Sequence, residues 1–177
     1  MATRRGALTN GWPQRATPTV VVLVLYALRV LFSPLKGEKM SVQSQLAGTW
    51  KLISAEDKNP DTGQWVPYTF GNPPSGYFIY DDTGHASVQI MTTPPQTIAT
   101  PDTPTPDEAL AIFNAYIAYY GTYTVDSANI TVQVEGALDP SQVGTAQVRP
   151  YELSGDTLII GDQVTYKRTL ERVKKNS

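Results

Sequence analysis

The chain contains no cysteine and one histidine, His85. Without cysteine there are no disulfides, no thiolate nucleophiles and no Cys-ligated zinc. With one histidine a His-rich metal site is excluded, and a Ser-His-Asp triad has a single residue to be built around. The same shortage removes Cys-ligated iron–sulfur clusters and argues against haem. His85 itself follows Asp81-Asp82-Thr83-Gly84, a turn sequence that places it in solvent. A glycine-rich phosphate loop of the P-loop or Rossmann kind is also missing. What remains for chemistry is carboxylates, tyrosines, amides, Arg and Lys, together with the shape of a cavity, so no metal and no cofactor is expected.

Positive charge is scarce beyond the first 39 residues. Of the 14 Lys/Arg and 16 Asp/Glu, residues 1–39 hold six and one, so residues 40–177 hold eight against fifteen and stand at -7. A domain of that sign lacks the concentrated positive surface that grips a phosphate backbone, which excludes nucleic acid as a partner.

The basic first stretch runs into Val20–Leu28, an unbroken apolar run extended by Val30, Leu31 and Phe32 and interrupted by Arg29. From Val20 to Phe32 a helix would span roughly 20 Å, short of the roughly 30 Å hydrocarbon core. Three readings stay open. The tract has the length of a signal peptide, although Phe32-Ser33-Pro34-Leu35 is not a small-x-small cleavage site. Residues 19–33 would alternatively lie on a membrane with Arg29 snorkelling to the interface. In the third, the protein starts at Met40, where MSVQSQLAGTW reads as a natural beginning, the upstream tract is non-native, and the location is cytoplasmic. In each, residues 40–177 are expected to fold as one domain.

Within that domain Leu46–Ala55 alternates as a strand, with Trp50, Leu52 and Ser54 on one side and Lys51, Ile53 and Ala55 on the other. Asn59–Gly76 holds four prolines, three glycines and the aromatics Trp65, Tyr68 and Phe70, the composition of a folded-over loop that would shield a barrel mouth. Tyr77–Tyr80 and His85–Met91 flank a turn and form a hairpin. Five prolines in Thr92–Pro106 forbid helix and central strand. A helix is predicted from Pro106 to about Tyr119, with Thr105 as N-cap and Glu108 completing a capping box. Its apolar stripe, with Leu110, Phe113 and Ile117, is expected to be buried against one barrel end. Thr122–Val125, Asn129–Glu135, Gly144–Leu153, Thr157–Ile160 and Gln163–Val173 read as further short strands. Spacings near ten residues favour an antiparallel barrel or sandwich.

Gly48-Thr49-Trp50 opens the first strand, and Arg168 and Arg172 lie in the last. In a closed antiparallel barrel these strands are neighbours, so an Arg would cover the indole and Gly48 would leave room beside it. Arg172 is favoured, because its end of the last strand meets the beginning of the first. This Gly-x-Trp with a distal Arg resembles the lipocalin and wider calycin signature. Together with GYFIYDDTGHASVQIM (Gly76–Met91), YYGTYTVD (Tyr119–Asp126), VEGALDP (Val134–Pro140) and VGTAQVRPYELSGDTL (Val143–Leu158), the chain resembles the microbial lipocalin-like domain family over about Leu46–Val173. The resemblance implies a calycin-type β-barrel, mostly β, with one helix plugging or covering an end. Where that family commonly shows paired histidines before VEG, this chain has Val132-Gln133, which argues against metal binding or histidine acid–base work.

Strand parity leaves two arrangements open. Ala86, Val88 and Ile90 oppose His85, Ser87, Gln89 and Met91; Ile130, Val132 and Val134 oppose Thr131, Gln133 and Glu135; Ala146 and Val148 oppose Gln147, Arg149 and Tyr151. Either the apolar faces fill the core, or the polar faces line a wide pocket and the apolar ones are covered by the helix, the loops or a second copy in a homodimer. The resemblance points to SVQIM, VE and QVRPYE as pocket walls. On the second arrangement Arg149, Gln89, Glu135 and Tyr151 are the candidate catalytic groups, with Arg149 or Gln89 anchoring a carbonyl. Tyr77, Ser87, Met91, Gln133, Tyr116, Tyr120 and Trp65 are then the candidate ligand contacts.

The resemblance and the surplus of tyrosines imply a hydrophobic small molecule as partner. One expectation is a cofactor-independent cyclase or isomerase of natural-product biosynthesis, acting by a pericyclic, Diels–Alder-type step through preorganisation. The other is a carrier or sequestering protein without turnover.

Overall fold

The computed structural model describes residues 41–71, 73–99 and 102–174. The readings of residues 1–39 fall outside them. Among the described residues no helix is long and apolar enough to cross a membrane.

A short helix α1 (Val42–Leu46) leads into β1 (Gly48–Lys58), β2 (Trp65–Pro67), β3 (Ser75–Tyr80) and β4 (His85–Met91). Helix α2 (Pro106–Asn114) follows, then β5 (Tyr116–Val125), β6 (Asn129–Ala137), a 3-10 turn at Pro140–Gln142, β7 (Ala146–Ser154), β8 (Thr157–Ile160) and β9 (Tyr166–Arg172). Every pairing is antiparallel between sheet neighbours. β1 pairs with both β3 and β9, so β1 and β3–β9 close into a barrel, and β2 is a short extra strand on the far end of β1. Closure removes the unpaired strand edge that an open sheet would expose.

Local chemistry sets the turns. Between β3 and β4 the Asp81 carboxylate accepts the backbone N–H of Thr83 and of His85, and Gly84 adopts φ 91°. Between β8 and β9 the Asp162 carboxylate accepts three backbone N–H groups, from Val164, Thr165 and Tyr166. The core is the apolar face of each strand. Leu46, Trp50, Leu158 and Leu170 are fully buried, with Val88, Ile130 and Val132 close behind, each side chain contributing about 1.5–3 kcal/mol of transfer free energy.

Two expectations about elements are corrected. The register shift between Leu52 and Ser54 breaks the alternation of β1, so Ala55 is buried on the Trp50 side. Helix α2 keeps its start, since Thr105 and Glu108 make the reciprocal capping box and Pro106 sits at the first turn, but it stops at Asn114. The tyrosines beyond belong to β5, where Tyr116 to Thr122 pair residue by residue with Met91 to His85. A β-rich Tyr-Ile-Ala-Tyr-Tyr segment with a neighbouring strand to complete prefers the ladder to another helical turn. Nor is the helix buried: none of its residues is, and Leu110 remains 58% exposed.

Candidate functional site

The barrel has two different ends. At one, Trp50 and Arg172 are register partners, and the guanidinium carbon of Arg172 lies 4.1 Å from the indole centroid. Arg172 also donates to the carbonyls of Ala47 and Gln45, at 2.8 and 2.5 Å, which ties α1 across this end as a floor. At the other end of the same two strands, Tyr166 faces Asp57 and Arg168 faces Ala55.

Toward that second end the barrel encloses a cavity of about 320 Å³. About half of its wall is apolar, with Phe78, Val88, Ile90 and Ile117 on β3–β5, Ile130 and Val132 on β6 and Ile160 on β8. The polar side chains in the wall are Tyr68, Tyr80, Tyr119, Tyr166, Arg149 and Arg168. Arg168 is held in place: it donates to the Asp57 carboxylate and the Glu56 carbonyl, both at 2.8 Å, and its guanidinium lies over the Tyr68 ring at 4.2 Å. Arg149 differs. Its Nη2 donates to Gln147 Oε1 at 2.6 Å and its Nη1 to the Val148 carbonyl at 3.1 Å. Among the described residues no carboxylate pairs with it. Gln147 is oriented for this role, because its amide nitrogen donates to Thr145 Oγ1 at 3.1 Å and leaves the oxygen for Arg149.

Tyr80 and Tyr119 complete the polar part of the wall. Burial pushes both phenols above the ordinary tyrosine range, Tyr80 strongly, with the Arg149 charge opposing the rise and neighbouring tyrosines adding to it. Both therefore stay protonated at neutral pH. Among the described residues no group accepts a hydrogen bond from either.

The two arrangements left open by strand parity are thus both realised, on different strands. On β4 and β6 the apolar faces point inward: Ala86, Val88, Ile90, Ile130, Val132 and Val134 are buried. Gln89, Gln133 and Glu135 are exposed and Ser87 is on the outer face, so these four do not line the barrel, and Glu135 and Arg149 do not meet inside it. On β7 the parity is reversed, with Val148 48% exposed and Arg149 in the cavity wall. Tyr151 shares that inward parity, but its hydroxyl donates to the Asp126 carbonyl at 2.8 Å and it does not line the cavity.

The remaining candidates lie outside as well. Tyr77 is 46% exposed, and Tyr116 donates to Gln89 Oε1 at 2.9 Å on the outer surface. Tyr120 lies across Gly136, where a Cβ would collide with its ring. Trp65 sits on β2 with Lys167 Nζ 4.6 Å from its centroid. Met91 lines a shallow cleft with Ile112 and Phe113 of α2, and no α2 residue enters the cavity wall.

Sequence reasoning did not select Tyr68, Tyr80, Tyr119, Tyr166 or Arg168 as cavity groups. A signal existed for Tyr80, which pairs with Ala86 and so shares the inward face of Val88 and Ile90. Among the described residues no cluster of His, Asp or Glu is arranged to hold a metal ion.

No curated protein matches the sequence. Among solved structures, an uncharacterized protein from Bacteroides eggerthii is similar at 10% identity, over 72% of this chain and 98% of its own, with a TM-score of 0.41. The model of the lipocalin-like domain matches residues 47–175. The match spans the whole barrel from the Gly48–Trp50 strand to Arg172, and the chain belongs to the lipocalin-like domain family.

Proposed function

We propose that the barrel binds a small, mainly apolar molecule whose one polar group is turned toward Arg149. The observation that carries this is a cavity of about 320 Å³, walled by apolar side chains and tyrosines, in which a guanidinium keeps free donors and, among the described residues, has no carboxylate partner. That volume is at the low end of small-molecule pockets, which run from about 300 to 1,000 Å³. A lipocalin-like barrel suggests ligand binding, and a half-buried cation is costly unless something pairs with it. The test is fluorescence titration with the neutral apolar probe 1-aminoanthracene, on the wild type and on Val132→Trp, which fills the cavity. Saturable enhancement that Val132→Trp abolishes is the expected result. Equal enhancement in both proteins places the probe elsewhere and ends this reading.

A catalytic reading, the cofactor-independent cyclase or isomerase of a natural-product pathway, is favoured by one observation: Tyr80 and Tyr119 line the same cavity as Arg149, and among the described residues no group accepts from their hydroxyls. Such donors stabilise an oxygen as negative charge builds on it, each worth a few kcal/mol in the transition state. The apolar walls would fold a flexible chain into a reactive conformer. Tyr119→Phe and Arg149→Met, assayed for conversion of a linear polyene ketone, should slow product formation without abolishing binding. A wild type that binds the ketone and leaves its rate and stereochemistry at the uncatalysed values is a carrier.

A further inference from the structure

We infer that the ligand is an organic anion, a small carboxylate-bearing molecule with an apolar body, and that the cavity selects it by charge. This rests on the reading of the barrel as a binding site and adds the chemical class. The wall carries two guanidiniums, and Asp57 neutralises one of them through the Arg168 contact at 2.8 Å. Arg149 is left as the uncompensated charge. Among the described residues no Asp, Glu, Asn, Gln, Ser or Thr lines the cavity. Apart from phenol lone pairs, its side chains therefore offer a ligand donors and no acceptors.

The geometry of Arg149 fits the same class. A guanidinium has five N–H donors in a planar fork that matches a carboxylate. Gln147 Oε1 and the Val148 carbonyl take one donor from each terminal nitrogen, so each keeps one N–H, and Nε keeps its own. Gln147, held by Thr145, is a positioning residue that fixes the plane of the fork. Tyr80 and Tyr119 stay protonated, so they donate to an anion and do not repel it. An alcohol would satisfy a phenol and leave the charge unpaired, and an ammonium would meet a cation with no counter-charge. Only an anion both pairs with the Arg149 charge and accepts from the phenols of Tyr80 and Tyr119.

The test is calorimetric titration with octanoate, octanol and octylammonium, which share one chain and differ in the head. The variants are Arg149→Met, which keeps an unbranched side chain and removes the charge, and Arg149→Lys, which keeps the charge without the fork. The wild type should bind octanoate about ten-fold or more tighter than octanol, the scale of a charge-assisted hydrogen bond, with octylammonium weakest. Arg149→Met should bring octanoate to the octanol level while octanol is unchanged, and Arg149→Lys should keep part of the preference. Octanol binding as tightly as octanoate to the wild type overturns the anion class and leaves the binding reading standing. A preference that survives in Arg149→Met overturns the role of Arg149. Failure of all three ligands to bind overturns the binding reading together with the anion class.

Discussion

The Arg172 guanidinium fills the space that a side chain at Gly48 would need: Gly48 adopts φ 144°, and a Cβ built there would lie 2.6 Å from Nη1 of Arg172. The guanidinium is in turn stacked on Trp50 and donates to the carbonyls of Ala47 and Gln45. One glycine thereby lets the last strand, the first strand and α1 share a single cation.

Gly48→Ala should then destabilise the barrel by about 1–3 kcal/mol, through backbone strain and displacement of the arginine. Arg172→Ala should cost a comparable amount, since a cation–π contact and two carbonyl acceptors are lost together. The ion pair with half-exposed Asp156 at 3.5 Å adds little. Urea melts of both variants and of Asp156→Ala measure this; an Asp156→Ala loss equal to that of Arg172→Ala would mean that the exposed pair, not the stack, holds the floor.

Exposure of α2 changes what a charge there should do. Phe113 is 41% exposed, so Phe113→Asp should cost about 1 kcal/mol or less, where a buried position would cost several. Thr105→Ala removes the hydroxyl that accepts the Glu108 N–H, and should cost about 1 kcal/mol. Thermal melting of the two variants gives their order. A Phe113→Asp loss far above that of Thr105→Ala would return the helix to the role of a packed lid.

The division between what the sequence discloses and what it hides follows the range of the interactions. Closure through Trp50 and Arg172, the β3–β4 hairpin and the capping box at Thr105 are each written in a few residues with specific local geometry. The helix end is not, because Tyr116–Tyr120 carries apolar side chains suitable for either state and the ladder with Met91–Ser87 decides. The cavity wall is hidden for a related reason. Alternation divides a strand into two faces and leaves open which one is inside; β4 and β6 answer with the apolar face, β7 with Arg149. Inward Arg149 runs against the hydrophobic pattern, and a violation of local consistency of this kind is where function is expected to sit.

Acid should unfold the domain through its turns. The Asp162 carboxyl is held well below the ordinary carboxylate range by its bonds from Thr165, Val164 and Tyr166, and Asp81, Asp126, Asp139 and Glu108 are lowered by similar turn or cap bonds. A depressed folded-state pKa means that the stabilisation is present above the unfolded carboxylate value of about 4 and is lost as pH falls below it. The melting temperature should hold from pH 7 to about 5 and drop below about 4. Asp162→Asn should lower the melting temperature at pH 7 and flatten the acid limb. An acid limb of unchanged steepness would place the responsible carboxylates elsewhere.

Arg149 yields the sharpest contrast between stability and binding. A structural cation loses stability when removed, whereas a half-buried cation without a carboxylate, kept for a ligand, is a burden on the empty barrel. Its two acceptors, Gln147 Oε1 and the Val148 carbonyl, can turn to water, since Gln147 lies beside the exposed strand start and Val148 is 48% exposed. Arg149→Met should therefore leave the ligand-free melting temperature unchanged or raise it, by up to about 1 kcal/mol of stability, as apolar packing replaces the unpaired charge. With octanoate present the order should invert, because only the wild type gains the stabilisation that ligand binding confers on the folded state. A ligand-free Arg149→Met that melts well below the wild type would show that the guanidinium holds β7 in place and is not a burden kept for a ligand.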